Sequence, residues 1–308
     1  MGESDTGETA TLSPDEAFAL LGNETRLAIL RTLAAAEGPL SFTDLRNRVG
    51  IRQGGQFNYH LDKVVGHFVD KGEDGYVLRQ TGKRVVEAVL SGTLTEDPVL
   101  EPTVVESWPC PYCGAPCEVR FRDEHVARRC TSCPGLYGQR DIGGRWPGDL
   151  GALNLPPAGI AGRDAQTVLE SAFTWSYAEW LVAAKEVCPR CSARVDHTLL
   201  VCESHADGDV CGACGRRKAV GFRSVCTNCD TTMESVLSMH LAASPEVLAF
   251  LTTHGVDPLT ESWDWGWDYE EEVVSTDPFE GRFTFTVDGD VLTLTVDEDL
   301  EVVSAVTE

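Results

Sequence analysis

The chain has 308 residues, with 25 Lys and Arg against 49 Asp and Glu, and a net charge of −24. A length of this order accommodates two or three domains. So acidic a molecule repels polyanions over most of its surface, which excludes docking onto nucleic acid or an anionic membrane except through a locally neutral or basic part.

The charge is unevenly spread. Residues 15 to 95 balance ten basic against ten acidic side chains, whereas from Asp230 onward Arg282 alone faces nineteen acids. Any nucleic-acid contact is therefore expected in the first third or in the cysteine-rich middle. Lysine is scarce (Lys63, Lys71, Lys83, Lys185 and Lys218) while carboxylates are abundant. This composition resembles that of proteins from salt-accumulating halophiles, where salt screens such self-repulsion. The opening MGESDTGETATLSPDE reads as neither signal peptide nor anchor, and no apolar run approaches bilayer length. A cytoplasmic protein with reduced thiols and no membrane contact is expected.

Ser13 caps a first helix with Pro14 at its first position, and Gly22 stops it. A second helix starts near Glu24, with Leu27, Ile29, Leu30 and Leu33 inward, and Gly38-Pro39 ends it. Ser41 begins a third, stopped by Gly50. Residues 54 to 66 form a fourth, with Phe57, Leu61, Val64 and Val65 at helical spacing. Two short strands, Phe68–Lys71 and Tyr76–Arg79, flank a Gly72–Gly75 turn, and Thr81 caps a last helix to about Leu90.

The segments ETRLAILRTL, PLSFTDLRNRVG, QFNYHLDKVV and GYVLRQTG, in that order, resemble the winged helix-turn-helix of archaeal ArsR-type transcriptional regulators. The resemblance covers about a quarter of the chain, residues 13–95. It implies binding to double-stranded DNA as a homodimer, with Ala17, Leu20, Val86 and Val89 at the dimer interface. The helix from Gly54 would then read bases with Gln53, Gln56, Asn58, Tyr59, His60 and Lys63, because amides pair with adenine edges in a major groove. Arg52, Lys71, Arg79, Lys83 and Arg84 are candidates for flanking phosphates. Tyr59 and His60 equally suit a packing role. Metal sensors of that family carry cysteines in this domain, and here none precedes Cys110.

Thr93 to Pro109 reads as a linker. Beyond it lie twelve cysteines, ten of them in two-residue knuckles: Cys110/Cys113, Cys130/Cys133, Cys188/Cys191, Cys211/Cys214 and Cys226/Cys229, with Cys202/His205 at the same spacing. Reduced thiols so spaced point to zinc, four ligands to an ion and three ions in all. Cys117 remains over as a free buried thiol. Cys110/Cys113 with Cys130/Cys133 makes a first ribbon over 105–140. Residues 140 to 164 read as a turn-rich connection, and 164–186 as a helix whose Trp175, Tyr177 and Trp180 suit a core better than base stacking. Over 187–232 two closures are open. Locally, Cys188/Cys191 joins Cys202/His205 and Cys211/Cys214 joins Cys226/Cys229; alternately, Cys188/Cys191 joins Cys211/Cys214 as in a cross-brace. Short loops favour the local form.

Residues 233–308 read as an acidic α+β module. It comprises a helix capped by Ser244, a Trp263–Tyr269 aromatic segment that either covers a sheet or docks a protein, and three strands from Phe283 to Val306. Four protein ligands per ion leave no open position, and no hydrolase, phosphate-binding or dinucleotide motif occurs, so an enzyme is not expected. The sequence thus predicts an α+β multidomain regulator with structural zinc. The alternative is a zinc-ribbon adaptor that binds protein or RNA, with the winged helix as a docking scaffold.

Overall fold

The computed structural model describes residues 12–138, 147–206, 208, 210–259 and 269–308. The described residues form a mixed α+β structure with four small sheets, and the chain separates into two compact units, Met1–Glu96 and Asp97–Glu308.

The first unit holds five helices, α1 (Pro14–Leu21), α2 (Glu24–Ala34), α3 (Phe42–Val49), α4 (Gly54–Val64) and α5 (Gln80–Leu90), and a hairpin of β1 (Val69–Gly72) and β2 (Gly75–Leu78). Local chemistry sets the boundaries. Ser13 and Glu16 form a reciprocal capping box, Asn23 and Ser41 cap α2 and α3, and Gly50 ends α3 in the left-handed region. Thr81 does not cap α5 as expected. That helix begins after Arg79, and the Thr81 hydroxyl donates to the His67 carbonyl at 2.6 Å.

Ile29, Leu30, Leu45, Phe57, Leu61 and Val64 are fully buried and form the core of this unit, with Phe42 edge-on to Phe57. Two glycines let the hairpin close on the helices. A Cβ on Gly75, already at φ +132°, would strike the Leu40 carbonyl, and one on Gly82 would strike that of Phe68. Of the residues expected at a dimer interface, Val86 is buried, and Ala17 and Leu20 are half-buried against the core. The exposed apolar side chains on α1 and α5 are instead Phe18, at 74%, and Leu90, at 60%.

The second unit has three sheets. The first runs β3 (Thr103–Val105), β4 (Cys117–Arg122), β5 (His125–Cys130) and β6 (Asp149–Asn154), all antiparallel. It corrects two expectations, because the supposed linker supplies β3 and the supposed turn-rich connection supplies β6. The second sheet is β7 (Val195–Val201), β8 (Val220–Cys226) and β9 (Thr232–Val236). Helices α7 (Leu237–Leu241) and α8 (Pro245–Thr253) follow, and then a meander of β10 (Tyr269–Thr276), β11 (Phe279–Val287), β12 (Asp290–Asp297) and β13 (Val302–Thr307).

Helix α6 (Ala165–Ala183) runs through the middle of this unit. It is apolar on most of its circumference, as a surrounded helix must be. Val168, Leu169, Ala172 and Tyr177 are fully buried, and the Tyr177 hydroxyl donates to the Ala242 carbonyl at 2.9 Å. Trp180 packs partly against the core and Trp175 is exposed. One continuous core extends from Val105 through α6 to Leu300, so the segments 105–140, 164–186 and 233–308, read as separate modules, share a single interior. The Gly143-Gly144 turn and the tryptophans of the Trp263–Tyr269 segment lie outside the described residues.

Candidate metal centres

Four of the knuckles share a bonding pattern, whereas the Cys130 and Cys202 N–H groups donate to the distant Gly148 and Ala219 carbonyls. In those four the first cysteine N–H donates to the carbonyl five residues on (Cys110 to Ala115, Cys188 to Ala193, Cys211 to Arg216, Cys226 to Thr231), at 2.7 to 3.0 Å. In three of these the residue after the second cysteine donates back to the carbonyl of the first: Gly114, Ser192 and Gly215. That residue must adopt positive φ, which Gly114 (+71°) and Gly215 (+68°) do freely, while Ser192 (+62°) and Asp230 (+55°) do so under strain. The turn aims both thiols of the pair to one side.

Three groups of four donors result, each with all ligand atoms within 4.8 Å of one another: Cys110, Cys113, Cys130 and Cys133; Cys188, Cys191, Cys226 and Cys229; and Cys202, His205, Cys211 and Cys214. Sulfur–sulfur separations are 3.6 Å for Cys110–Cys133, 3.5 Å for Cys113–Cys130, 3.7 Å for Cys188–Cys229 and 3.5 Å for Cys191–Cys226. A disulfide would require about 2.0 Å. A tetrahedron with metal–sulfur bonds of about 2.3 Å has edges of about 3.8 Å, so the clusters have the size of a metal site.

The twelve expected ligands all fall in these groups, but the pairing over 188–229 is neither of the two expected. It is nested. Strands β7 and β8 pair antiparallel with Val195 opposite Cys226 and Val201 opposite Val220. The hairpin thus brings the Cys188/Cys191 and Cys226/Cys229 knuckles to one end and leaves Cys202/His205 and Cys211/Cys214 at the other. Loop length alone favoured local closure. The register of an unrecognised seven-residue hairpin overrode it.

Several thiols are prepared for metal. Burial raises the Cys130 thiol, but N–H bonds from Cys133 and Ser132 prevail and bring it down to about 7. Backbone N–H groups of Ala206, Cys214 and Ala213 lower Cys211 to about 6, and hydrogen bonds from Thr231 lower Cys229 to about 6. Each cluster therefore has one cysteine that reaches the thiolate form near neutral pH. His205 places Nδ1 3.5 Å from Cys214 Sγ, while its Nε2 lies 3.3 Å from the Arg217 carbonyl. Donation from Nε2–H to that carbonyl leaves Nδ1 as the ligand nitrogen. Cys117, fully buried, belongs to none of the groups, and burial raises its pKa.

In the first unit α4 exposes Gln56, Tyr59 and Lys63 on one stripe, with the Lys63 ammonium 5.7 Å from the Tyr59 ring centroid. Gln53 precedes the helix without capping it, and both it and Arg52 are exposed. Asn58 lies on the next stripe and donates to Asp62 at 2.6 Å. His60 is half-buried, edge-on to Tyr59 at 5.2 Å, with Nδ1 lacking a partner. Lys71 is exposed above Tyr76, and Lys83 and Arg84 are exposed on α5, Arg84 within 3.2 Å of Glu87. Arg79 is engaged in the fold, bonded to the Gly66 carbonyl and 3.6 Å from Asp70.

A chain of two units, the larger holding three cysteine-rich four-donor clusters, is the class that fold and site define. Residues 107–302 match the family described as Domain of unknown function (DUF7351), and the chain belongs to that family. Residues 14–89, within the first unit, match a second family described as Domain of unknown function (DUF7347). No curated protein and no solved structure matches the chain. Among the described residues no helix is long and apolar enough to cross a membrane.

Proposed function

We propose that this protein is a sequence-specific DNA-binding transcriptional regulator, with the first unit as an ArsR-like winged helix-turn-helix and the second held together by three structural zinc ions. The observation that carries the reading is α4. It follows α3 after a short turn, buries Phe57, Leu61 and Val64, and turns Gln56, Tyr59 and Lys63 outward beside a two-stranded hairpin. An amide, an aromatic ring and a cation on one helical stripe suit base edges flanked by phosphate. The balanced charge of residues 15–95 permits this approach where the rest of the chain repels DNA.

Zinc follows from the donor sets. Two clusters of four cysteines, and a third of three cysteines with one histidine, offer soft ligands in closed tetrahedra, the preference of structural zinc. A homodimer would use Phe18 and Leu90, the exposed apolar side chains of α1 and α5.

The test is binding of the full chain to a duplex selected from random sequence, at a salt concentration where the protein is folded. Gln56→Ala is expected to weaken the selected duplex by about 1–3 kcal/mol and to relax sequence preference, and Lys83→Ala to weaken all duplexes alike. Equal losses on selected and random duplexes for both variants would remove α4 as the reading helix. Failure to select any duplex would favour the zinc-ribbon adaptor.

A further inference from the structure

The second unit contains a cavity of about 300 Å3, at the lower end of the range for small-molecule sites. Its walls are unusual in two respects. All six residues of β6 and all five of β9 line it. Neighbouring residues of a strand point to opposite faces, so a cavity touching every one of them runs along the strand edge. Both are edge strands of their sheets, which presents backbone amides and carbonyls to the space between them.

The second feature is methionine. The chain has only three, and both internal ones, Met233 on β9 and Met239 on α7, line this cavity. Tyr137, Trp180 and Tyr269 join leucines of β6 and α6 in the apolar wall. Thioether and aromatic side chains together form an adaptable lining that favours flat aromatic groups.

Polar groups converge at defined points. The Tyr137 hydroxyl and Ser235 Oγ are 2.9 Å apart in the buried wall. The Lys218 ammonium, which also feels the Glu271 and Glu270 carboxylates, sits 4.9 Å from the Tyr269 ring centroid and gives one of its three donors to the Tyr269 carbonyl at 2.7 Å. We propose that this cavity binds a small aromatic carboxylate, its ring between the methionines and aromatics and its carboxylate toward Lys218. Tyr112 of the first knuckle and Lys218, four residues past Cys214, share the wall. Use of the site as a signal input rests on the regulator reading, whereas occupancy does not.

The test uses the zinc-loaded full chain carrying 13C-methyl methionine, whose spectrum contains Met233, Met239 and, as reference, Met1. Probes are 1-naphthoate, 1-naphthol and 1-naphthylmethylamine. Both cavity methyls are expected to shift with 1-naphthoate, which should bind at least tenfold more tightly than the amine. Lys218→Gln should remove most of the naphthoate advantage over naphthol. If no probe moves either methyl in the folded protein, or if the amine binds most tightly, the proposal is overturned. The wild-type ranking alone decides if Lys218→Gln does not fold. No arm involves DNA, so failure here leaves the regulator reading untouched.

Discussion

Individual residues carry the clearest physical consequences in the second unit. His240 is half-buried, 5.1 Å from the His197 ring and 5.2 Å from Phe222. Burial disfavours its imidazolium and lowers its pKa to about 4, with positive neighbours His197 and Lys185 adding to the effect. The unfolded chain, with an imidazole pKa of about 6.5, takes up the proton first. Stability from this residue is therefore complete above about pH 6.5 and is lost as the pH falls toward 4. His240→Leu should give a shallower decline in melting temperature between those limits while changing little at pH 8. Loss of any bound metal in acid affects both proteins alike, so an identical acid limb in wild type and variant would show that His240 is not the burdened group.

At the level of elements, the knuckle turns and the helix caps were legible in the sequence because their chemistry is local. A two-residue cysteine spacing followed by glycine, or a serine before a proline, determines its turn with little outside help. What was not legible depended on partners distant in the chain. Strand β3 has three residues and forms because β4 offers it an edge, with Val105 opposite Cys117. Strand β6 contains Gly151 at φ +113°, an unpromising strand residue, and survives through pairing with β5. Strand β10 carries three consecutive glutamates, of which Glu271 is bonded by the Ala219 and Val220 amides. The nested metal pairing belongs with these, since it follows from the β7–β8 register. It makes a stoichiometric prediction. Cys191→Ser with Cys229→Ser should cost one metal ion per chain, whereas Cys191→Ser with Cys202→Ser should cost two. Local pairing predicts two and one respectively, and elemental analysis of the purified proteins separates the cases.

For the whole molecule the division at residues 96 and 97 matters most. Each unit has its own core, and the main core of the second draws on residues from Val105 to Leu300, beside a small separate cluster at Cys188, Val195 and Cys226. Residues 1–96 alone should fold cooperatively. A chain cut after residue 232 should instead lose the order of its second unit, because the fully buried Tyr177 of α6 would lose its bond to the Ala242 carbonyl and the buried residues of α7 and α8 that share its core. Cooperative near-ultraviolet melting of the cut chain with both transitions present would show that the acidic part is an independent module after all. The concentration of acids in that part repels polyanions, which leaves the first unit, through α4, as the proposed DNA contact. Genome-wide immunoprecipitation of the tagged full-length protein, beside its Gln56→Ala variant, puts that assignment to its most direct trial. The account predicts discrete promoter peaks sharing a sequence motif, and their loss or broadening in the variant at equal protein abundance. Uniform background for the wild type, or peaks unaltered by Gln56→Ala, would contradict it.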